Sequence, residues 1–398
     1  MKNILRLVLF SISLWASRDG AYAQDWGLTT APTDLNWDSV ATSADGRRMI
    51  ASAGGEPGWV YTSTNAGLNW VTNDLPDLGW TGVASSADGS KLVAVAVFGG
   101  IYVSTNFGGS WAPTDAPTRN WWAVSSSADG SRLAAVVGGQ SGFFEGSILI
   151  STNSGTNWMP SDAPATNWSA ISASADGTKL AATVGFPQSG PIFNSRDSGA
   201  TWATNNNAPF SSWVAIASSA DGSRLVAAST AEVFTSTDSG IIWVTNGLPS
   251  MAWSGVASSA DGQKLVAIAN GASGIFTSTN GGGTWISNAV PKNVWWSAAS
   301  SADGNELIAV VLPDRGTNGG IYTAYFTPSP RLAIFREAAA NIQLSWTAPS
   351  TNFSLQRSQN LSAWADVTNS PVLNLTNLQD QVVLPSSVSN ALYRLKTP

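Results

Sequence analysis

Residues 213–229 read WVAIASSADGSRLVAAS: an apolar strand-forming run, the turn Ser-Ala-Asp-Gly, and a second apolar run. An Asp-Gly pair between two such runs signals a β-hairpin, because glycine takes positive φ without steric cost and aspartate caps or tolerates the turn. The same four residues occur seven times, with aspartates at Asp45, Asp88, Asp129, Asp176, Asp221, Asp261 and Asp303, spaced 43, 41, 47, 45, 40 and 42 residues apart. One supersecondary unit is therefore repeated along most of the chain.

A second signature follows each of the first six turns: STNAGLNW (63–70), STNFGGSW (104–111), STNSGTNW (151–158), SRDSGATW (195–202), STDSGIIW (236–243) and STNGGGTW (278–285). Between the signatures four short strands fit per unit; in the fifth these are WVAIAS, RLVAAS, EVFTST and IIWVTN, called A to D. Four antiparallel strands with a period near 42 residues predict a propeller blade, which buries both faces only when neighbours stack and the ring closes. The seventh unit runs into TPSPR (327–331) without a D strand. The missing strand is expected from the other end, because WGLTTAPTDLNW (26–37) copies the D–A segment WAPTDAPTRNW (111–121) and puts Trp26 in the last blade.

The fold class expected is all-β: a seven-bladed β-propeller over 24–326, closed by the N-terminal strand, then a linker at 327–331 and a small β-sandwich over 332–398. That last segment, with runs such as NIQLSW and FSLQRS, loosely resembles fibronectin-III-like modules. The second signature resembles the Asp-box, or BNR repeat, of sialidases, sortilin-type receptors, xyloglucan hydrolases and photosystem II assembly factors of the Ycf48/Hcf136 kind. Four of the six copies carry Asn at the family's Asp position. The resemblance implies that this segment is architectural, with its polar side chain bonding the turn and its Trp packing between blades.

The chain has 398 residues, no histidine and no cysteine. That removes the imidazole base, the thiolate, the disulfide and most transition-metal sites, so no cofactor or metal is expected. Formal charge is −6, a poor match for nucleic acid. Residues 1–23 read as a secretory signal: Lys2 and Arg6, an apolar stretch from Leu7 to Trp15, then Ala21-Tyr22-Ala23. Cleavage between Ala23 and Gln24 would give a secreted, periplasmic or extracellular protein, a monomer without membrane insertion.

Two sets of residues are candidates for ligand contact. Trp37, Trp80, Trp121, Trp168, Trp213, Trp253 and Trp295 each stand eight residues before a turn aspartate. They enter strand A in every blade and form a ring near the channel mouth, which fits inter-blade packing and equally an aromatic rim for sugar or partner. The second set lies in the irregular B–C loops: Glu56, Trp59, Phe143, Phe144, Glu145, Phe186, Asp314 and Arg315. If A is innermost, the D–A links and B–C loops share one face, and the Asp-Gly turns share the other with the second signature. Trp122 and Trp296 fall outside the repeat pattern, and Asp38 is the only carboxylate directly after a ring Trp.

The turns read as structure rather than as a repeated calcium or anion site. Arg48, Lys91, Arg132, Lys179, Arg224 and Lys264, three residues after the aspartate, suit a local ion pair. A sialidase is poorly served, since the chain lacks its R-I-P motif. The function expected is a secreted, non-enzymatic binding propeller for a glycan or protein. The alternative is a carboxylate-pair glycoside hydrolase, sialidase- or xyloglucanase-like, drawing on Asp38, Glu56, Glu145 and Asp314.

Overall fold

The computed structural model describes residues 26–55, 57–138, 146–185, 188–271, 274–313 and 318–325, and beyond them 333–336, 341–347, 354–358, 365–368, 371–374, 379–385 and 392–396. Up to residue 325 the described residues form five four-stranded antiparallel sheets and one eight-stranded sheet, in which two further four-strand sets are joined by pairing of Asn270 with Val294 and Gly271 with Asn293. Their first strands are Asn36–Thr42, Gly79–Ser85, Trp121–Ser126, Trp168–Ala173, Trp213–Ser218, Trp253–Ser258 and Asn293–Ser300. Each packs against the first strand of the next blade, and Asn293–Ser300 packs against Asn36–Thr42. The seven A strands therefore line a closed central channel.

The last blade takes its outer strand from the N-terminus. Trp26–Leu28 pairs antiparallel with Gly320–Tyr325, Trp26 opposite Ala324 and Leu28 opposite Tyr322. The Trp26 ring lies 6.0 Å from that of Trp295. Trp202 and Trp243 stand in the same relation to Trp168 and Trp213, at 6.3 and 6.4 Å. Trp26 thus fills the place that the second repeated segment supplies elsewhere.

The Ser-Ala-Asp-Gly turn does three jobs. Within a blade its serine and aspartate organise the hairpin: in the fifth copy Ser219 Oγ donates to Asp221 Oδ1 at 2.6 Å and accepts from the Arg224 amide at 3.0 Å, while the Ser223 amide donates to Asp221 Oδ1 at 2.9 Å. Between blades its alanine closes a ring. The amides of Ala44, Ala87, Ala128, Ala175, Ala220 and Ala260 each donate to the next alanine carbonyl at 2.7–2.8 Å, and Ala302 returns to Ala44 at 2.9 Å. Its glycine, at φ +66° in Gly130 and Gly177, also makes room for a neighbour, since a Cβ on Gly177 would sit 2.8 Å from Arg132 Cβ.

That neighbour corrects the local ion pair expected from the sequence. In the first six copies the cation three residues after the aspartate crosses to the following blade, as where Arg132 Nη1 donates to the Asp176 carbonyl at 2.6 Å, Lys179 Nζ to the Asp221 carbonyl at 2.7 Å, and Arg48 Nη1 to the Asp88 carbonyl; the seventh copy carries Glu306 there instead. Blade twist brings the stem of each long side chain over the next turn and away from its own carboxylate. Burial raises the Asp129 carboxyl, but bonds from Ser127 and Ser131 and the Lys91 charge outweigh it and bring the group down to about 2.

In the second repeated segment the side-chain oxygen four residues before the closing amide accepts from it, whether Asn or Asp: Asn65 from Asn69 at 2.9 Å, Asp238 from Ile242 at 2.9 Å, Asn280 from Thr284 at 2.8 Å. The turn needs one sp² oxygen, which both residue types carry.

The ring tryptophans enter the hydrophobic layers between blades. Trp37, Trp80, Trp121, Trp168, Trp213 and Trp295 are fully buried and Trp253 nearly so. Most meet an aromatic of the third strand edge-on, as Trp37 meets Tyr61 at 5.2 Å and Trp295 meets Tyr322 at 5.0 Å. Beyond the propeller, described strands form a four-stranded and a three-stranded sheet that share a core of Leu344, Leu355, Val382 and Leu384.

Candidate functional site

Every first strand breaks register at one place, directly after its ring tryptophan. The breaks fall between Trp37 and Ser39, Trp80 and Gly82, Trp121 and Ala123, Trp168 and Ala170, Trp213 and Ala215, Trp253 and Gly255, and Trp295 and Ser297. A bulge adds one residue to one strand and re-aims a side chain. The residues skipped are Asp38, Thr81, Trp122, Ser169, Val214, Ser254 and Trp296, and all seven line one cavity of about 430 Å³ in the channel. The cavity lies at the end away from the alanine ring. The bulge therefore assigns the repeat tryptophan to the core and the residue after it to the channel.

The bulge residues differ in what they leave available. Thr81 Oγ1 donates to the Trp121 carbonyl at 2.8 Å and Ser254 Oγ to the Trp295 carbonyl at 2.6 Å, so these hydroxyls bridge blades. Ser169 Oγ shares a hydrogen bond of 2.9 Å with Thr183 Oγ1. Asp38 is different. Burial pushes its carboxyl up to about 7, opposed only by a hydrogen bond from the Gly54 backbone. The close approach explains Gly54, where a Cβ would lie 1.9 Å from Asp38 Oδ2. Trp296 remains 36% exposed and Trp122 half-buried. Asn270 is also on the lining, and its side-chain oxygen is buried with no donor facing it among the described residues.

The least buried tryptophans of the cavity lining are Trp122 and Trp296. Trp37, Trp80, Trp121, Trp168, Trp213, Trp253 and Trp295 are buried between blades, and Trp168, Trp213 and Trp253 are also among the residues lining the cavity. Trp59, half-buried at the start of the third strand of the first blade, does not line the cavity. Glu56, Phe143, Phe144, Glu145, Phe186, Asp314 and Arg315, and the cleavage residues Ala23 and Gln24, lie outside the described residues. Of the four carboxylates set aside for hydrolysis only Asp38 is described, and among the described lining residues it is the sole ionisable group.

Trp122 and Trp296 were legible as exceptions but not as partners. The signal was the position after the repeat tryptophan, which reads Asp, Thr, Trp, Ser, Val, Ser, Trp where the flanking positions stay nearly uniform. Phe98 and Phe210, each 73% exposed, add apolar surface on the face that carries the D–A links and B–C loops. An open groove of about 530 Å³ on the outer rim, lined by Arg196, Trp202 and Asn205 among others, gathers residues from two blades only. The channel site draws on all seven.

The fold is a β-propeller. Among solved structures this chain is similar to YCF48 bound to D1 peptide, at 14% identity and TM-score 0.57, over 78% of this chain and 96% of that one. YCF48 from Cyanidioschyzon merolae matches at 13% identity and TM-score 0.57, over 76% and 98%. The Cps50 (Swd1) β-propeller domain of Myceliophteria thermophila matches at 13% identity and TM-score 0.59, over 76% and 100%. No family model matches the chain, and no curated protein does. At these identities the likeness shows the propeller architecture.

Proposed function

We propose that this chain is a binding propeller, without catalysis of its own, that takes a protein segment or a glycan at its channel mouth. The observation that carries the reading is the set of seven bulges, which turns one non-repeated residue per blade into a common cavity while the repeat itself remains architectural. The exposed Phe98 and Phe210 support a docking face around that mouth. The solved YCF48 complex with a D1 peptide offers a precedent for a propeller of this shape holding a peptide. A hydrolase would need a second carboxylate converging on Asp38. The leader at 1–23 makes export part of the same proposal, checked by the N-terminal residue of the protein recovered from its host.

The test is a glycan array and a peptide library probed with the exported chain. Trp296→Ala is expected to lose the hits and Arg224→Ala, on the opposite face, to retain them. Hits that survive Trp296→Ala and vanish with Arg224→Ala would place the binding face on the wrong side of the ring.

A further inference from the structure

Two acceptors at the channel mouth are poorly matched among the described residues. The Asp38 carboxyl receives only the Gly54 backbone, and the buried Asn270 oxygen receives nothing. Both are acceptors. Because first strands contact in chain order around the ring, Trp296 of the seventh blade stands directly beside Asp38 of the first. Asn270 is in the strand paired with Asn293–Ser300, immediately before Trp296's side of the ring, as Asn270 lies opposite Val294. Thr81 and then Trp122 follow on the other side of Asp38. Acceptors and indoles thus alternate along one arc of the cavity.

No lysine or arginine is among the described lining residues. Of the strands packed on that of Asp38, Asn293–Ser300, Gly79–Ser85 and Met49–Gly54 carry no titratable or charged residue, and Glu306–Leu312 carries one, the acidic Glu306 at its turn end, which supplies no counter-ion. A carboxylate desolvated without a counter-ion is unfavourable, and a neutral ligand would leave it so. Indole faces attract cations, most strongly where water is excluded. The hydroxyls of Thr81 and Ser254 already donate to backbone carbonyls, so they do not satisfy the two open acceptors.

We propose that the channel mouth binds an organic cation, an ammonium or guanidinium group on an apolar stem, whose charge pairs with Asp38 while Trp296 and Trp122 face it. The inference rests on the channel mouth being the binding site. The cation comes either as a Lys or Arg side chain of a protein segment or as a small free amine; the chemistry is shared, and affinity separates the sources.

Calorimetric titration of the whole exported chain with n-butylammonium, n-butylguanidinium and the end-capped tripeptide acetyl-Gly-Lys-Gly-amide tests it, against 1-pentanol, acetyl-Gly-norleucine-Gly-amide and cellotetraose. The cations are expected to bind at least about tenfold more tightly than their neutral counterparts, and Asp38→Asn to remove that preference. The wild-type chain supplies a second readout that needs no variant: cation affinity rises between pH 6 and 8 as Asp38 ionises. A tripeptide bound at least about tenfold more tightly than butylammonium assigns the cation to a protein segment, and equal affinity assigns it to a free amine. No cation binding up to about 10 mM, equal binding of the neutral probes, or indifference to both Asp38→Asn and pH would overturn the proposal. Cellotetraose or the norleucine peptide binding in a Trp296-dependent, Asp38-independent way would overturn the cation while leaving the channel mouth as the binding site.

Discussion

The Ala302 amide donates to the Ala44 carbonyl at 2.9 Å, joining residues 258 positions apart and completing a ring of seven alanine-to-alanine hydrogen bonds. The inner wall is closed there, and the outer wall is closed by Trp26–Leu28 on Gly320–Tyr325. These two closures fix the ends of the propeller to each other.

Removing residues 26–28 opens the outer closure, uncovers the edge of Gly320–Tyr325 and strips Trp295 of its tilted aromatic neighbour. An open sheet edge pairs with other chains. The shortened protein is expected to melt several degrees lower and to aggregate; an unchanged melt in differential scanning calorimetry would mean the latch contributes nothing.

Gly177→Ala tests the turn. Alanine there adopts a left-handed backbone at φ +66° and sets its Cβ 2.8 Å from Arg132 Cβ. Strain and crowding together are expected to cost about 1–3 kcal/mol in urea unfolding. Gly247→Ala, where an added Cβ meets nothing within 4 Å, is the control and is expected to stay near wild type.

Two tryptophans separate architecture from site. Trp213 is fully buried, with the Phe234 ring at 5.4 Å and the Trp243 ring at 6.4 Å. Trp213→Ala is expected to cost about 3–5 kcal/mol. Trp296, more than a third exposed, is expected to cost far less as Trp296→Ala while weakening any channel ligand. Comparable losses of stability in the two variants would contradict the division made by the bulge.

Stability should also depend on pH through Asp38. Its folded value of about 7 lies above the unfolded value of about 3.9, so the native state holds the proton between them. Stability therefore falls as pH rises from about 4 to about 7 and levels off above; the contribution is at most roughly 4 kcal/mol. Asp303, raised by burial to about 7, acts in the same sense. Asp129 and Asp221, held at about 2, act in the opposite sense, and their stabilisation is lost as pH falls from about 4 towards 2. In thermal melts Asp38→Asn should flatten the decline between pH 4 and 7; an unaltered pH profile would refute the burial of that carboxyl.

The sequence by itself determined the strand content, the hairpin turns, the repeat and the N-terminal closure. Each is written in local patterns: a glycine that must take positive φ, a short apolar strand, a unit recurring at a near-constant spacing, and Trp26 in a copy of a segment that elsewhere ends a blade. It could also mark Asp38, Trp122 and Trp296 as departures from the pattern. Only the tertiary structure decided what faces what. Whether Trp37 or Asp38 looks into the channel depends on one bulged residue, and a strand reverses every side chain downstream when its register shifts by one. The same holds for the turn cations: Arg132 lies three residues from Asp129 in the chain, yet blade twist carries it to Asp176. Spacing along a strand fixes which residues share a face, while packing against the next blade fixes which face is core and which is channel.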